Sequence, residues 1–180
     1  MKNFLITGGA GFIGANFIHH LLSSQQGLNL VVLDALTYAG NKQNLAQALQ
    51  QQAITFVHGN ICDQMLVEKL LVAHNIDCIV HFAAESHVDR SITGPDAFIE
   101  ANVVGTHSLL KAARIVWRKQ AHLRVNAFIM YRPTRCMARL AKPIRLSVRP
   151  RHMLLILRTQ QARLHRIISC GPIITPMVYP

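Results

Sequence analysis

Three glycines near the N-terminus have a spacing that suits the binding of a diphosphate. Gly8, Gly11 and Gly14 follow a short apolar run and lead into a segment with helical periodicity. Glycine lets the chain turn sharply and lets its backbone come close to a ligand. The N–H groups at the start of the following helix then face the ligand, and the helix dipole favours negative charge there. The spacing therefore predicts a turn that cradles a pyrophosphate.

An acidic residue follows this turn at the distance typical of a dinucleotide site. Asp34 ends the second apolar run, about 20 residues after Gly14. Its carboxylate would accept hydrogen bonds from an adenosine ribose and repel a 2′-phosphate, which favours NAD over NADP. The alternative is a plain glycine turn with an ordinary aspartate at a strand end. The strand before the turn and the helix after it favour the dinucleotide interpretation.

A polar segment after the fourth apolar run offers further ligand contacts. Ala83 and Ala84 are small enough to let the chain lie against a ligand at the carboxyl edge of a parallel sheet. Ser86, His87 and Arg90 then offer hydrogen-bond donors to a phosphorylated ligand. On these residues alone, a polar loop held by local ion pairs is an equal alternative.

Predicted strands and helices alternate along the first 117 residues, and they must position the residues described above. Apolar runs predict strands, and helical periodicity predicts helices. The strands are expected at 2–7, 29–34, 53–58 and 78–83, and the helices at 12–24, 43–51, 63–74 and 96–116. Repeated βα units predict an α/β fold, a partial Rossmann-type, doubly wound parallel sheet in the order 3-2-1-4.

Three segments together resemble a known family. They are the glycine turn GGAGFIG, the LTYAGN segment after Asp34 and the AAESHVDRSI segment after the fourth strand. They resemble the nucleotide-sugar 4,6-dehydratases, most of all those that act on dTDP-glucose, within the extended short-chain dehydrogenases/reductases. The resemblance covers residues 1 to about 117.

The resemblance implies a bound NAD, a thymidine-diphosphate sugar as substrate, and a homodimer formed through helices. Beside the glycine turn, it places the NAD site at Phe12, Ile13, Asp34, Leu36, Thr37, Ile61, Phe82, Ala83, Ala84 and Ser86. It places Ser86, His87 and Arg90 near the substrate. Asn60 stands where the family usually has an adenine-contacting aspartate, and Ala101 where it often has threonine. Either change would weaken cofactor binding modestly.

The catalytic groups that the resemblance implies are missing from the chain. The family oxidises the sugar at C4 with NAD, removes water across C5 and C6 with an Asp/Glu pair, and uses a Tyr-x-x-x-Lys pair as base. These groups belong to the motifs STDEVYG and YSASK. No acid follows Glu100, and the only Tyr-x-x-x-Lys, Tyr38 with Lys42, lies on the adenosine side of the expected site. No catalytic residue is therefore predicted.

The composition changes abruptly near Trp117. Residues 118–180 contain 13 of the 19 Lys and Arg and none of the 8 acids, within a chain of net charge +11. One interpretation is a tail that binds nucleic acid or an anionic membrane surface. The other is an altered reading frame. Few aromatic residues and no RNA-binding motif favour the second interpretation.

Codons compatible with the tail support a shift of the reading frame. Residues 130–138 can be written ATG TAT CGA CCG ACG AGG TGT ATG GC, which with a preceding C translates one base over as HVSTDEVYG. Residues 154–163, preceded by the last G of the Met153 codon, can be read in the same way as APNSPYSASK. Since both missing motifs reappear in one register, we infer a slip of one base between about Trp117 and Arg124.

The sequence therefore predicts an NAD-binding Rossmann half-domain at 1–117 and a poorly ordered, non-native basic tail at 118–180. Within the tail, Val125–Met130 is short and apolar enough to mimic a fifth strand, and Met153–Ile168 has helical patches. Without a true fifth strand, the fourth would leave an unpaired edge that invites association.

The expected function is that of a truncated, inactive nucleotide-sugar dehydratase. NAD is the expected cofactor; no metal, bound sugar nucleotide, specific nucleic acid or membrane partner is expected. The alternative is a non-enzymatic nucleotide-binding module with a basic, nucleic-acid-binding tail. No apolar run reaches the roughly 18–20 residues that span a bilayer. The four cysteines lack metal-like spacing and indicate reduced thiols in a cytoplasmic protein.

Overall fold

One parallel sheet organises the residues described by the computed structural model, which are 2–120, 126–132 and 153–159. Its strands are β1 (Asn3–Thr7), β2 (Asn29–Asp34), β3 (Thr55–His58), β4 (Cys78–His81), β5 (Asn126–Arg132) and β6 (Met153–Thr159). Their order across the sheet is β3-β2-β1-β4-β5-β6, and all neighbouring pairs are parallel. The predicted α/β class and the order 3-2-1-4 are confirmed, and the sheet continues beyond the fourth strand.

Helices connect the strands. They are α1 (Phe12–Ser24), α2 (Ala46–Gln50), α3 (Gln64–Ala73), α4 (Val88–Thr93), α5 (Pro95–Ile99) and α6 (Thr106–Gln120). A 3₁₀ turn at Lys42–Leu45 precedes α2, and a π-helical segment at Glu100–Gly105 joins α5 to α6. None of the helices in the described ranges is both long and apolar enough to cross a bilayer.

Successive strand residues enter opposite faces of the sheet, which gives the fold two apolar cores. Leu5, Ile79 and Phe128 pack with α3 and α6, whereas Ile6 and Val80 pack with α1. All five side chains are almost completely buried. Because helices cover both faces, the central strands are continuous apolar runs rather than alternating patterns.

The fifth strand lies in the basic part of the sequence. It pairs with β4 so that Ala127 lies opposite Cys78 and Phe128 opposite Ile79. The apolar segment Val125–Met130 thus provides the strand that its composition allowed, although Val125 itself lies outside the described residues. The prediction that β4 has an unpaired edge is wrong, because β5 pairs with it.

The helical interpretation of Met153–Ile168 is wrong for its first seven residues, which form β6 and pair with β5 over Asn126–Arg132. A short, continuous apolar run has no periodicity that separates strand from helix. The free backbone groups along β5 favour the strand, since they need hydrogen-bond partners. Residues 160–168, and the expectation of poor order for 121–125, 133–152 and 160–180, lie outside the described residues.

The long helix predicted at 96–116 is not continuous. Gly94 and Pro95 begin α5 as their types favour, but the chain then passes through the π-helical segment before α6. The short helix α4 was not predicted. By contrast, α1 and β2 have the predicted bounds, and Asp63 caps α3 by accepting a hydrogen bond from Leu66 N at 3.0 Å.

Candidate functional site

A cavity of about 410 Å³ opens where β1, β2, β3 and β4 end. It is lined by residues that follow these strands and by residues of α1, α5 and the π-helical segment. The lining residues are Gly8, Gly11, Phe12, Ile13, Gly14, Leu33, Asp34, Ala35, Thr37, Ala39, Gly40, Gly59, Asn60, Ile61, Phe82, Ala83, Ala84, Glu85, Ser86, Ala97, Glu100 and Ala101. All the residues predicted to bind the cofactor are among them except Leu36.

The glycine turn fits tightly between β4 and α1. Gly8 has a φ of +69°, and a Cβ atom added to it would lie 2.5 Å from Ala83 N. A Cβ atom on Gly14 would collide with the carbonyl oxygen of Gly8. The turn is closed by a hydrogen bond from Gly11 N to Gly8 O at 3.2 Å. Glycine is therefore required here by both backbone conformation and space.

The N-terminus of α1 borders the cavity. Gly11 is the residue before the helix, and it has no side chain that could cap the first turn. Phe12, Ile13 and Gly14 line the cavity, so the free N–H groups of this turn lie at its wall. No Lys, Arg or His is among the lining residues described. A bound anion would thus be held by backbone N–H groups and the helix dipole.

Asp34 ends β2 with a buried carboxylate. One oxygen accepts a hydrogen bond from Ala10 N and the other from Leu36 N, both at 2.8 Å. Each carboxylate oxygen can accept a second hydrogen bond, so both remain available to a ligand. Gly40 allows the following loop to pass close by, because a Cβ atom there would lie 2.8 Å from Asp34 Oδ1.

Leu36 does not line the cavity. Its φ is +51°, and its side chain is half-buried against the apolar cluster that includes α1. The backbone of Leu36 nevertheless serves the site, since its N–H fixes the Asp34 carboxylate. Its predicted place in the lining of the NAD site remains a prediction.

Asn60 lines the cavity directly after β3, at the position where the resemblance leads to the expectation of an aspartate. Its side-chain oxygen accepts a hydrogen bond from Cys62 N at 2.9 Å. An aspartate could make the same contact, so the exchange of Asp for Asn leaves this turn intact and removes one negative charge from the cavity.

The segment after β4 contributes unequally to the cavity. Ser86 lines it, whereas His87 is exposed and lies outside the lining, with its ring 6.2 Å from that of Tyr38. Arg90 belongs to α4, and its side chain lies outside the described part of the structure. Of these three residues, Ser86 lines the cavity and His87 does not, and the prediction that they lie near the substrate stays a prediction.

Two acidic residues of the cavity were missed by the sequence analysis. Glu85 and Glu100 join Asp34 in the lining, so it carries three carboxylates. Glu100 belongs to the π-helical segment, whose approach to the cavity depends on contacts between distant residues. The signal that could have found Glu85 is its place between Ala84 and Ser86, directly after a predicted strand.

A buried histidine lies directly beneath the site. His81 Nδ1 contacts Thr7 Oγ1 at 2.7 Å, and His81 Nε2 contacts Thr106 Oγ1 at 3.1 Å. Burial lowers the pKa of His81 from 6.5 to about 4, so the imidazole is neutral at pH 7. The contacts join β1, β4 and α6 behind the cavity wall.

The two cysteines in the described ranges are free thiols. Burial raises the pKa of Cys78 to about 12, and burial followed by the Glu100 carboxylate raises the pKa of Cys62. Both are therefore protonated at pH 7 and are poor nucleophiles.

The glycine turn, the acid at the end of β2 and the order of the parallel strands define a Rossmann-type α/β fold. Residues 5–127 match the family model described as GDP-mannose 4,6 dehydratase. The chain belongs to this family.

Individual relatives agree with this assignment. The chain is 47% identical over 124 residues to dTDP-glucose 4,6-dehydratase 1 of Escherichia coli, covering 69% of this chain and 34% of that protein. It is 52% identical over 128 residues to the dTDP-glucose 4,6-dehydratase of Xanthomonas campestris, covering 71% of this chain and 36% of that one. The chain thus spans about a third of the length of these relatives.

A solved structure matches over the same region. It is the dTDP-glucose 4,6-dehydratase of Streptomyces venezuelae, crystallised with NAD bound. The TM-score is 0.63 at 44% sequence identity, and the match covers 71% of this chain and 38% of that chain.

Proposed function

We propose that the cavity at the carboxyl edge of the sheet binds NAD. The observation that carries the proposal is the joining of an uncapped helix N-terminus and the Asp34 carboxylate in one cavity. The helix N-terminus suits a diphosphate, and the carboxylate suits a ribose diol. A Cβ atom added to Gly11 would lie 3.3 Å from Gly8 O, which is a tight contact, so the turn is narrow at this residue. Glycine at this position keeps the backbone N–H groups of the turn free of side chains that would stand between them and a phosphate group.

The charges of the cavity favour NAD over NADP. Asp34 would repel a 2′-phosphate on the adenosine ribose, and no described lining residue is a cation that could neutralise it. A pyrophosphate is tolerated because it meets the N–H groups of α1 at a different wall. Bound NAD supplies a hydride acceptor, while this chain's residues bind and orient it.

A titration with NAD and NADP tests this assignment. NAD is expected to raise the melting temperature of the protein. At an NAD concentration of 100 times its Kd, the free energy of unfolding should increase by about 2.7 kcal/mol. NADP is expected to bind at least tenfold more weakly. Asp34→Asn removes the charge and also one of the two hydrogen bonds from Ala10 N and Leu36 N, because an amide nitrogen cannot accept. It should weaken the binding of NAD and bring the Kd values for NAD and NADP closer together. A melting curve unchanged by NAD would contradict the proposal.

We further infer that the chain derives from a dTDP-glucose 4,6-dehydratase and does not itself catalyse the family reaction. Its relatives at about 50% identity carry that name. The motifs STDEVYG and YSASK, which resemblance assigns to the chemistry, occur only when the tail is read one base over. No acid follows Glu100 in the translated chain. We therefore assign no catalytic residue and no bound dTDP-sugar to this chain.

Two measurements test this inference. Purified protein with NAD and dTDP-glucose should give no 4-keto product above a blank without protein. The DNA around codons 117–124 should open a frame through YSASK when one base is restored. Product formation by the chain as translated, or a shifted frame that spells no dehydratase, would refute it.

A further inference from the structure

Asn102 holds the chain that forms one wall of the cavity. Its side-chain oxygen accepts a hydrogen bond from Glu85 N at 3.0 Å, and its side-chain nitrogen donates to Glu85 O at 2.9 Å. One amide thus satisfies both backbone groups of Glu85, as a neighbouring strand would. Glu85 lies between Ala84 and Ser86, and all three residues line the cavity. Phe82 N still donates to Thr7 O of β1 at 3.0 Å, but residues 83–87 have no regular secondary structure, so the Asn102 side chain holds a segment that follows the last strand pairing.

Asn102 belongs to a segment of π-helix, and this backbone conformation allows its side chain to reach Glu85. Asn102 lies in the π-helical segment Glu100–Gly105, between two stretches of α-helix. Such a segment widens the turn and changes the direction in which side chains leave the helix, and it is frequent at functional sites. Glu100 and Ala101 of the same segment line the cavity directly.

The same stretch of chain also packs against the loop after β3. A Cβ atom on Gly105 would lie 2.5 Å from Ile61 Cδ1, and Ser108 Oγ donates to Cys62 O at 3.3 Å. Residues 100–108 therefore contact both loops that border the cavity, one at the end of β3 and one at the end of β4. Asn102 acts only on the second of these loops.

We propose that Asn102 is a positioning residue for the half of the dinucleotide that lies beyond the pyrophosphate. The inference rests on the proposed binding of NAD. In the order β3-β2-β1-β4, Asp34 and Asn60 lie on one side of the glycine turn and the Glu85 segment lies on the other. With the adenosine at Asp34, the second nucleoside extends towards β4. Asn102 then determines the shape of the wall that this nucleoside meets.

Comparison of NAD with ADP tests the proposal, because ADP contains the adenosine half and lacks the second nucleoside. Asn102→Ala should raise the Kd for NAD about tenfold, as expected for the loss of two hydrogen bonds, and change the Kd for ADP less than twofold. Asn102→Asp should have the same effect, since a carboxylate cannot donate to Glu85 O. Hydrogen exchange without ligand should show faster exchange of the Glu85 amide in both variants.

Ser108→Ala is the matched control, because it removes a hydrogen bond from the same stretch of chain to the other loop. It should leave the ratio of NAD to ADP affinity unchanged. If Asn102→Ala had the same ratio of NAD to ADP affinity as the wild type, because both Kd values were unchanged or rose equally, the proposal would be overturned. If the wild-type protein bound ADP as tightly as NAD, the second nucleoside would contribute nothing to binding. This result would overturn the role of Asn102 but would leave the assignment of the adenosine site intact. Wild-type protein that binds neither ligand would refute the NAD site itself, and the proposal with it.

Discussion

Lowering the pH from 7 to 5 is expected to destabilise the fold through His81. In the folded protein the imidazole lies between Thr7 and Thr106, is 2% exposed, and has its pKa lowered from 6.5 to about 4 by burial. In the unfolded chain the same group regains its ordinary pKa. Between these two values the unfolded state binds a proton that the folded state does not bind. Stability therefore falls as the pH drops through this range.

The magnitude follows from the two pKa values. Once the pH is below both, the folded state has lost about 3 kcal/mol relative to neutral pH, and at pH 5 it has lost about 2 kcal/mol. The cause is the burial of a charge and not the loss of hydrogen bonds. Both threonine hydroxyls can accept a hydrogen bond, so a protonated ring would still be satisfied at both nitrogens.

Urea unfolding at pH 7, 6 and 5 measures this loss. Trp117 is the only tryptophan of the chain and is 3% exposed, so its fluorescence reports the transition. His81→Gln should lower the free energy of unfolding at every pH. It should also make the loss of this free energy between pH 7 and pH 5 about 2 kcal/mol smaller than in the wild type. His107→Gln, at an exposed position on α6, is the control and should retain it. Equal loss of stability between pH 7 and 5 in the wild type and His81→Gln would refute the reasoning.

Three further changes should alter stability by amounts that depend on local geometry. Gly8→Ala should cost about 1–3 kcal/mol, because it adds both strain and a clash; Gly27→Ala, with a similar φ and open space, should cost less, and equal costs would contradict the clash. Asp63→Ala should cost about 1 kcal/mol in urea unfolding through loss of the α3 cap, and no change would show that the cap contributes nothing. Trp117→Phe should cost about 1–3 kcal/mol, measured by circular dichroism, because a buried carbonyl loses its 2.9 Å partner; an unchanged midpoint would argue against this hydrogen bond.

The elements nearest the glycine turn could be predicted from the sequence because their signals are local. Gly8 and Gly14 separate β1 from α1, and the continuous apolar run 29–34 is typical of a strand covered on both faces. The meeting of Gly8, Asp34 and Ala84 at one cavity then follows from the topology of a parallel sheet. These predictions needed no knowledge of contacts between distant residues.

The segments that could not be predicted depend on such contacts. The π-helical segment is held by the pairing of Asn102 with Glu85 and by the packing of Gly105 on Ile61, which helical periodicity does not reveal. The strand at Met153–Thr159 depends on the free edge of β5. Leu36 was assigned to the cofactor site by resemblance; it has a φ of +51° and packs against the apolar cluster, and its place at the cofactor stays a prediction.

The origin of the cavity walls has a consequence for how such a protein loses its function. Among the residues that the structure describes, every lining residue lies between positions 8 and 101, and β5 contributes none. Phe128 of β5 is instead fully buried and packs in the hydrophobic core. Under the proposed binding of NAD, the cofactor site is encoded upstream of the motifs that the resemblance assigns to the chemistry. A frame shift after residue 117 would then remove the chemistry and leave a protein that still binds the cofactor.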